Sequence, residues 1–379
     1  MFLINDHTDE TMTPCSLRAP RLPVTRRAIL SAALAAPFLT LPRAEAAETL
    51  NVTAYDGFVP PEFQKQFEAE TGVTVRIRPA ASQAPELTLL TAERDHPITD
   101  ICTVVGTRLH QFVDNGIIEP IDVARLKNWN RLNPVYANAE WTRVNGAVMG
   151  VPLVTAADVL VYDTREVKPA PDSWFTIFDP KYKGRATYDI EDFLLCVMLA
   201  QGADPTFMSY LKEPAAAATA VNAARDLLIR NKSQVVRFFD EGSELQQLLT
   251  GGDAVIAQTY ASTPARLILA GLPFRRVVPK EGTLAFVYTF AIVKGAPNRD
   301  GAYRFLDAML GTPGIGAALT RSAGYAACFV DAGQGLSESE AAAYGLPADA
   351  VERIRFPRFE GQALSSSLID KAVQDVKAG

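Results

Sequence analysis

The chain is poor in the residues that most often carry out chemistry. Of its 379 residues three are histidine (His7, His96 and His110) and four are cysteine (Cys15, Cys102, Cys196 and Cys328). Histidines this few and this scattered assemble no histidine-based metal site. There is no C-x-x-C pair, and G-x-S-x-G, H-E-x-x-H and the P-loop are all missing, which removes the nucleophile elbow, the zinc-protease helix and the Walker phosphate cradle. Gly311-Thr312-Pro313-Gly314-Ile315-Gly316 is glycine-rich, but it follows a helical segment instead of a strand, the wrong context for a dinucleotide turn. Without a nucleophile–base pair, no enzyme is expected and binding is the better reading. Basic charge is not in excess either. Against 37 Lys and Arg stand 43 Asp and Glu, a net charge of −6, which argues against a nucleic-acid partner.

Long apolar runs are lacking too. The Ala/Leu-rich run from Ala28 to Leu41 is broken by Pro37 and falls short of the roughly 20 residues a membrane span needs. It follows Thr25-Arg26-Arg27-Ala28-Ile29-Leu30, a twin-arginine pattern, and precedes Ala44-Glu45-Ala46, a small-x-small cleavage site. Residues 1–46 are therefore expected to be a twin-arginine signal peptide, and the mature protein to reside in the periplasm. Met12 is a second candidate start within the long n-region. Cys15 leaves with the signal. The three remaining cysteines allow one disulfide at most in an oxidising compartment, and the apolar settings of Cys102 and Cys196 read as buried free thiols.

What is present is a soluble α/β pattern: 48% apolar, 21% charged and too long for one ordinary core, so two lobes are expected. Leu50–Ala54 alternates as a strand, Tyr55-Asp56-Gly57 turns, and Pro60-Pro61 opens a helix carrying Phe63 and Phe67, since proline is tolerated at a first helical position. A second strand runs from Val73 to Ile77. This βαβ unit puts Tyr55, Asp56 and Phe58 at the carboxyl end of its first strand, where open α/β sheets bind ligands. A strand from Asp100 to Val105 delivers Gly106-Thr107-Arg108 to the same edge. Val148–Leu153 reads as a first crossover, and Val159–Tyr162 as the start of the second lobe. Asp189, Glu191 and Asp192 precede the apolar helix Phe193–Ala200; they either cap it on a solvated turn or contact ligand. Asp253–Gln258 is a strand leading to the Thr259-Tyr260-Ala261-Ser262 loop. Thr283–Val293, with Phe286 and Tyr288, is apolar enough to be buried on both faces. Ala302, Phe305, Leu306 and Met309 then share a helix face. The tail from Ser337 is amphipathic and expected to pack on the second lobe.

Pro279-Lys280-Glu281-Gly282, AIVKGAPNRDGAYRFLDAML from Ala291, Gly324-Tyr325, VPPEFQKQFEAETGVTV from Val59 and the P-x-Y-K-G turn at Pro180–Gly184 together resemble the extracellular solute-binding proteins of ABC importers, in the spermidine/putrescine-binding branch. The resemblance implies a two-lobe periplasmic-binding-protein fold of type II, each lobe a mostly parallel sheet flanked by helices. Lobe 1 would comprise residues 47–155 and 284–335, and lobe 2 residues 156–283 and 336–379. It further implies a monomer that captures a small solute in the interlobe cleft and delivers it to a membrane permease, with no cofactor and no metal. The positions that would face the ligand are Tyr55, Asp56, Phe58, Thr107, Arg108, Asp189, Glu191, Tyr260, Phe286 and Tyr288. Flat rings sandwich an alkyl chain and attract ammonium groups, although any one of these rings reads more readily as core packing.

The departures from the family pattern bear on the ligand. Polyamine-binding relatives carry Trp-x-Asp on the returning strand, where this chain has Phe286 and Tyr288, so the acid is gone. A buried ammonium without an acid partner costs several kcal/mol, and Arg108 favours a carboxylate or phosphonate. An amine-containing solute is expected, polyamine-like, amino acid-like or opine-like, in preference to spermidine itself. The alternatives are ferric iron on the phenolates of Tyr55, Tyr188, Tyr260 and Tyr288, a phosphonate or carboxylate, or a secreted enzyme on this scaffold.

Overall fold

The computed structural model describes residues 48–80, 82–260 and 262–379; the twin-arginine segment, the cleavage site, Met12, His7 and Cys15 lie outside them. The opening βαβ unit is β1 (Thr49–Ala54), the helix Pro61–Thr71 and β2 (Thr74–Pro79), followed by β3 (Ile101–Val105). Proline stands at the first turn of that helix, and Gly72 closes it in the left-handed conformation with its N–H on the Glu68 carbonyl. A small antiparallel ribbon pairs β4 (Arg143–Val144) with β5 (Ala147–Val148). Then come β6 (Val151–Asp163), β7 (Ala186–Thr187), β8 (Ile256–Tyr260), β9 (Phe274–Val277) and β10 (Thr283–Ile292), with short β11 (Ala326–Ala327) and β12 (Ile354–Arg355). The main sheet runs β2-β1-β3-β10-β6-β8-β7, with β9 and β11 also on β6 and β12 on β10. β1 lies parallel to β2 and β3, whereas β10 is antiparallel to both β3 and β6.

β6 is one uninterrupted strand where the sequence reads as two. The linking Thr155-Ala156-Ala157-Asp158 lacks large apolar side chains, yet all four residues are buried. Its first half, Val151–Ala157, pairs with β10, and its second, Asp158–Asp163, with β8 and β9. The two largest hydrophobic cores follow the same division. One core gathers Leu50, Phe63, Phe67 and Phe305; the other gathers Trp174, Tyr188, Phe193 and Leu228. β6 gives Leu153 to the first and Leu160 to the second, and β10 gives Phe290 to the first and Leu284 to the second. A Leu or Phe side chain buried in this way contributes about 1.5–3 kcal/mol.

Polar anchors fix the crossings. Asp100, just before β3, accepts the N–H of Asn51 at 2.7 Å and of Asn298 at 2.6 Å, tying β1 to the helix Arg299–Gly311. Trp174 Nε1 donates to the Gly282 carbonyl at 2.9 Å, which pins the proline–acid–glycine turn at the head of β10. Cys102, Cys196 and Cys328 are all buried free thiols. In the tail, the helix Phe359–Ala378 packs on the helices Pro214–Arg230 and Ile190–Ala200, and Glu338–Tyr344 packs on Ser262–Leu269.

Candidate functional site

The end of β7 leads straight into the helix Ile190–Ala200. Asp189 is its N-cap, and its Oδ1 accepts the N–H of Asp192 at 3.0 Å. Gln258 on β8 bridges this helix start to the crossing strand: its Nε2 donates to Asp158 Oδ1 at 2.7 Å, and its Oε1 accepts the Asp189 N–H at 3.2 Å. Asp158 itself is 1% exposed and lies across from Tyr260 in the sheet. Burial first, and then the mutual repulsion of Asp158, Asp192 and Asp189, pushes the Asp158 and Asp192 carboxyls up. The Asp189 and Glu191 carboxyls are raised as well, again chiefly by burial. None of these four acids forms an ion pair among the described residues. An arrangement of this kind either holds protons or takes a cationic guest.

The cluster opens on a cavity of about 260 Å³ whose walls include Glu191, Asp192 and Asp370 together with Arg108, Phe286 and Gln362. Arg108 Nη1 donates to Gln111 Oε1 at 3.2 Å, and no carboxylate pairs with the guanidinium among the described residues. Phe286 forms an aromatic wall, backed edge-on by Tyr260 at 6.2 Å. One cavity thus holds a cation, several acids and an apolar face.

A second aromatic group sits beside it. Tyr288 meets Tyr55 at 5.6 Å and Phe58 at 5.2 Å, both edge-on, and Tyr325 at 6.0 Å. The Tyr55 hydroxyl accepts from Gln83 Nε2 at 2.9 Å, while Gln83 Oε1 accepts the Val105 N–H at 2.9 Å. Behind them Glu86 Oε2 accepts from Gln83 Nε2 at 3.2 Å. Burial pushes the Glu86 carboxyl up to about 8, against the opposing pull of the Thr103 backbone and Arg78.

Of the positions expected to face a ligand, Arg108, Glu191 and Phe286 line the 260 Å³ cavity. Tyr260 stands behind Phe286, and Asp189 caps the helix next to it. Tyr55, Phe58 and Tyr288 form the adjoining aromatic group, with Phe58 only 2% exposed. Tyr55 and the exposed Asp56 also border a separate pocket of about 380 Å³ with Pro61, Ile77 and Ser322. Thr107 is 9% exposed within the turn Gly106–Arg108. The four-tyrosine iron set does not gather: Tyr188 is sealed in the second core, its ring 4.4 Å from Phe193. Among the described residues, no group of three or more His, Cys, Asp or Glu could hold a metal ion. Asp192 had been read with Asp189 and Glu191 as a helix cap or a ligand contact, whereas Asp158, Gln362 and Asp370 escaped the sequence reading. Asp158 carried a signal, a lone acid at the head of an apolar strand. Gln362 and Asp370 carried none, because only the fold-back of the tail helix brings them here.

Known proteins share this fold. The family model described as bacterial extracellular solute-binding protein matches residues 62–344. The spermidine/putrescine-binding periplasmic protein of Escherichia coli (strain K12) is 24% identical over 361 residues, covering 93% of this chain and 98% of that protein. Among solved structures, the spermidine/putrescine ABC transporter substrate-binding protein PotD from Streptococcus pneumoniae strain Canada MDR_19A superposes with a TM-score of 0.73 at 18% identity, covering 87% of this chain and 99% of that one. The Atu4243-GABA receptor superposes with a TM-score of 0.64 at 17% identity, covering 86% and 97%. The structural likenesses speak for the fold, and the family model, which runs through β6 and β10 and into both cores, speaks for descent: the chain belongs to the bacterial extracellular solute-binding proteins, which capture small solutes outside the cytoplasmic membrane and work with ABC transporter permeases.

Proposed function

We propose that this protein captures a short, flexible amino acid-like zwitterion, with the amine and carboxylate at opposite ends, between its lobes. The observation that carries the reading is the opposed charge around one 260 Å³ cavity, whose walls include Arg108, Glu191, Asp192 and Phe286. The acids at the start of the helix Ile190–Ala200 receive the ammonium and take over the role of the acid that β10 lacks. Phe286 packs on the methylene chain, and the unpaired Arg108 binds the carboxylate by a charge-assisted hydrogen bond. A diamine or polyamine is the second reading, favoured by the number of acids around the cavity and by the polyamine-binding names of the relatives. Solute capture without turnover, export through the twin-arginine signal, a monomeric state and lobes bounded at residues 155/156 and 283/284 complete the proposal.

Isothermal titration of the mature protein with γ-aminobutyrate, 5-aminovalerate, putrescine and spermidine is the test. A zwitterion should bind one-to-one and more tightly than either amine. Asp192→Asn should weaken it about 10- to 100-fold, the worth of one charged hydrogen bond; Arg108→Ala should weaken the zwitterion by a similar factor and leave putrescine unchanged. Tighter binding of putrescine, indifferent to Arg108→Ala, would hand the site to the diamine reading. A product released from any of these compounds would point to the secreted-enzyme reading.

A further inference from the structure

Alternate residues of a strand face opposite sides of its sheet. On β6, Asp158 faces the acid cluster, so Val159 points to the reverse face, where it borders a different cavity of about 650 Å³. That space is also walled by Leu346 and by two arginines, Arg276 and Arg353. Arg276, on β9, reaches the end of the helix Glu338–Tyr344: Nε donates to the Ala342 carbonyl at 3.2 Å and Nη2 to the Gly345 carbonyl. Its Nη1 is closed off from solvent and has no partner. Burial brings this guanidinium down to about 10. Arg353 is paired with Asp349 at 2.7 Å, yet its Nε is also buried and unpartnered. Arg276 has no carboxylate partner among the described residues. The guanidinium groups of Arg276 and Arg353 therefore border a largely apolar space of ligand-binding size with a single acid, Asp349, among its walls.

We propose that this reverse-face cavity is a second binding site, one that takes a small organic carboxylate. Its head neutralises Arg276, and its apolar body packs against Val159 and Leu346. Neutralising a buried cation that has no protein acid supplies the specificity, and the apolar walls favour a hydrocarbon body over a bare inorganic oxyanion.

Titration of the mature protein with hexanoate, with inorganic phosphate and hexylammonium as comparison probes, tests this. Hexanoate should bind one-to-one, phosphate and hexylammonium at least tenfold more weakly, and Arg276→Gln should weaken hexanoate at least tenfold. Arg276 also holds the end of a helix, so Leu346→Trp provides a variant that narrows the cavity and leaves that contact alone; it too should abolish hexanoate binding without lowering Tm. Arg108→Ala should leave hexanoate binding unchanged, which keeps this outcome separate from the main cavity. The proposal is overturned by the absence of saturable hexanoate binding, by equal affinity in Leu346→Trp, by phosphate binding as well as hexanoate, or by loss in Arg108→Ala alone.

Discussion

Glu86 is 3% exposed, and its Oε1 meets no partner. Its carboxyl, pushed from an ordinary value near 4.5 up to about 8 by burial, keeps its proton in the folded protein well after the unfolded chain has lost it. Between those two pH values the unfolded state binds fewer protons than the folded one, so stability falls as pH rises through this window. The full loss has a ceiling of about 5 kcal/mol, at about 1.36 kcal/mol for each pH unit. Glu86→Gln imitates the protonated acid, keeps an oxygen to accept from Gln83, and should raise Tm at pH 8 by several degrees while changing it little at pH 4.5. Thermal melts across that range check this; parallel curves for the two proteins would mean that Glu86 titrates normally. The same burial physics explains what the sequence revealed of the site. Arg108 and Phe286 were legible because one follows a strand at its carboxyl end and the other sits on the returning strand. The acids were visible as letters, but their strength as a site depends on being buried together. No spacing rule predicts that Gln258 draws Asp158 toward Asp189.

At the scale of elements, the turn after β1 decides where Tyr55 points. Gly57 has φ +77°, and a Cβ there would lie 2.1 Å from the Ser322 carbonyl oxygen. Ser322 Oγ donates to the Gly57 carbonyl, so the helix Ile315–Ala323 and the β1 turn are in direct contact. Gly57→Ala combines an unfavourable left-handed backbone with a clash against main chain that cannot swing aside. It should cost about 2–3 kcal/mol, lower Tm, and disturb the Tyr55–Tyr288 pair, read as a changed near-ultraviolet circular dichroism signal; an unchanged Tm would show that the helix end yields easily. The opening βαβ unit and β10 were readable because each has a strong apolar period and a proline or glycine boundary. Two-residue strands such as β7, β11 and β12 were not, since their pairing is set wholly by neighbours. β6 was misread as two pieces for the reason that makes it useful. Its middle is Thr155-Ala156-Ala157-Asp158, small and polar where it passes between the cores.

For the whole molecule, the consequence lies in those same strands. The two largest hydrophobic cores are joined through β6 and β10, and the β10–β6 register breaks between Tyr288 and Thr289, beside the aromatic residues at the cavity edge. Ala156 and Ala157 face Phe286 and Ala285 across the same stretch, so little side-chain bulk resists a change of angle there. If, as proposed, the solute is held by both Arg108 and Asp192, it is stabilised only when both reach it, which would make closure and binding one event. Small-angle scattering should therefore give a radius of gyration near 20 Å for the mature chain, falling by about 1 Å at saturating ligand. Arg108→Ala, which removes one of the two holds, should need more ligand to produce the same fall. Saturation proven by calorimetry with no change in the scattering curve would mean that one side binds the solute alone, and interlobe capture would have to be abandoned.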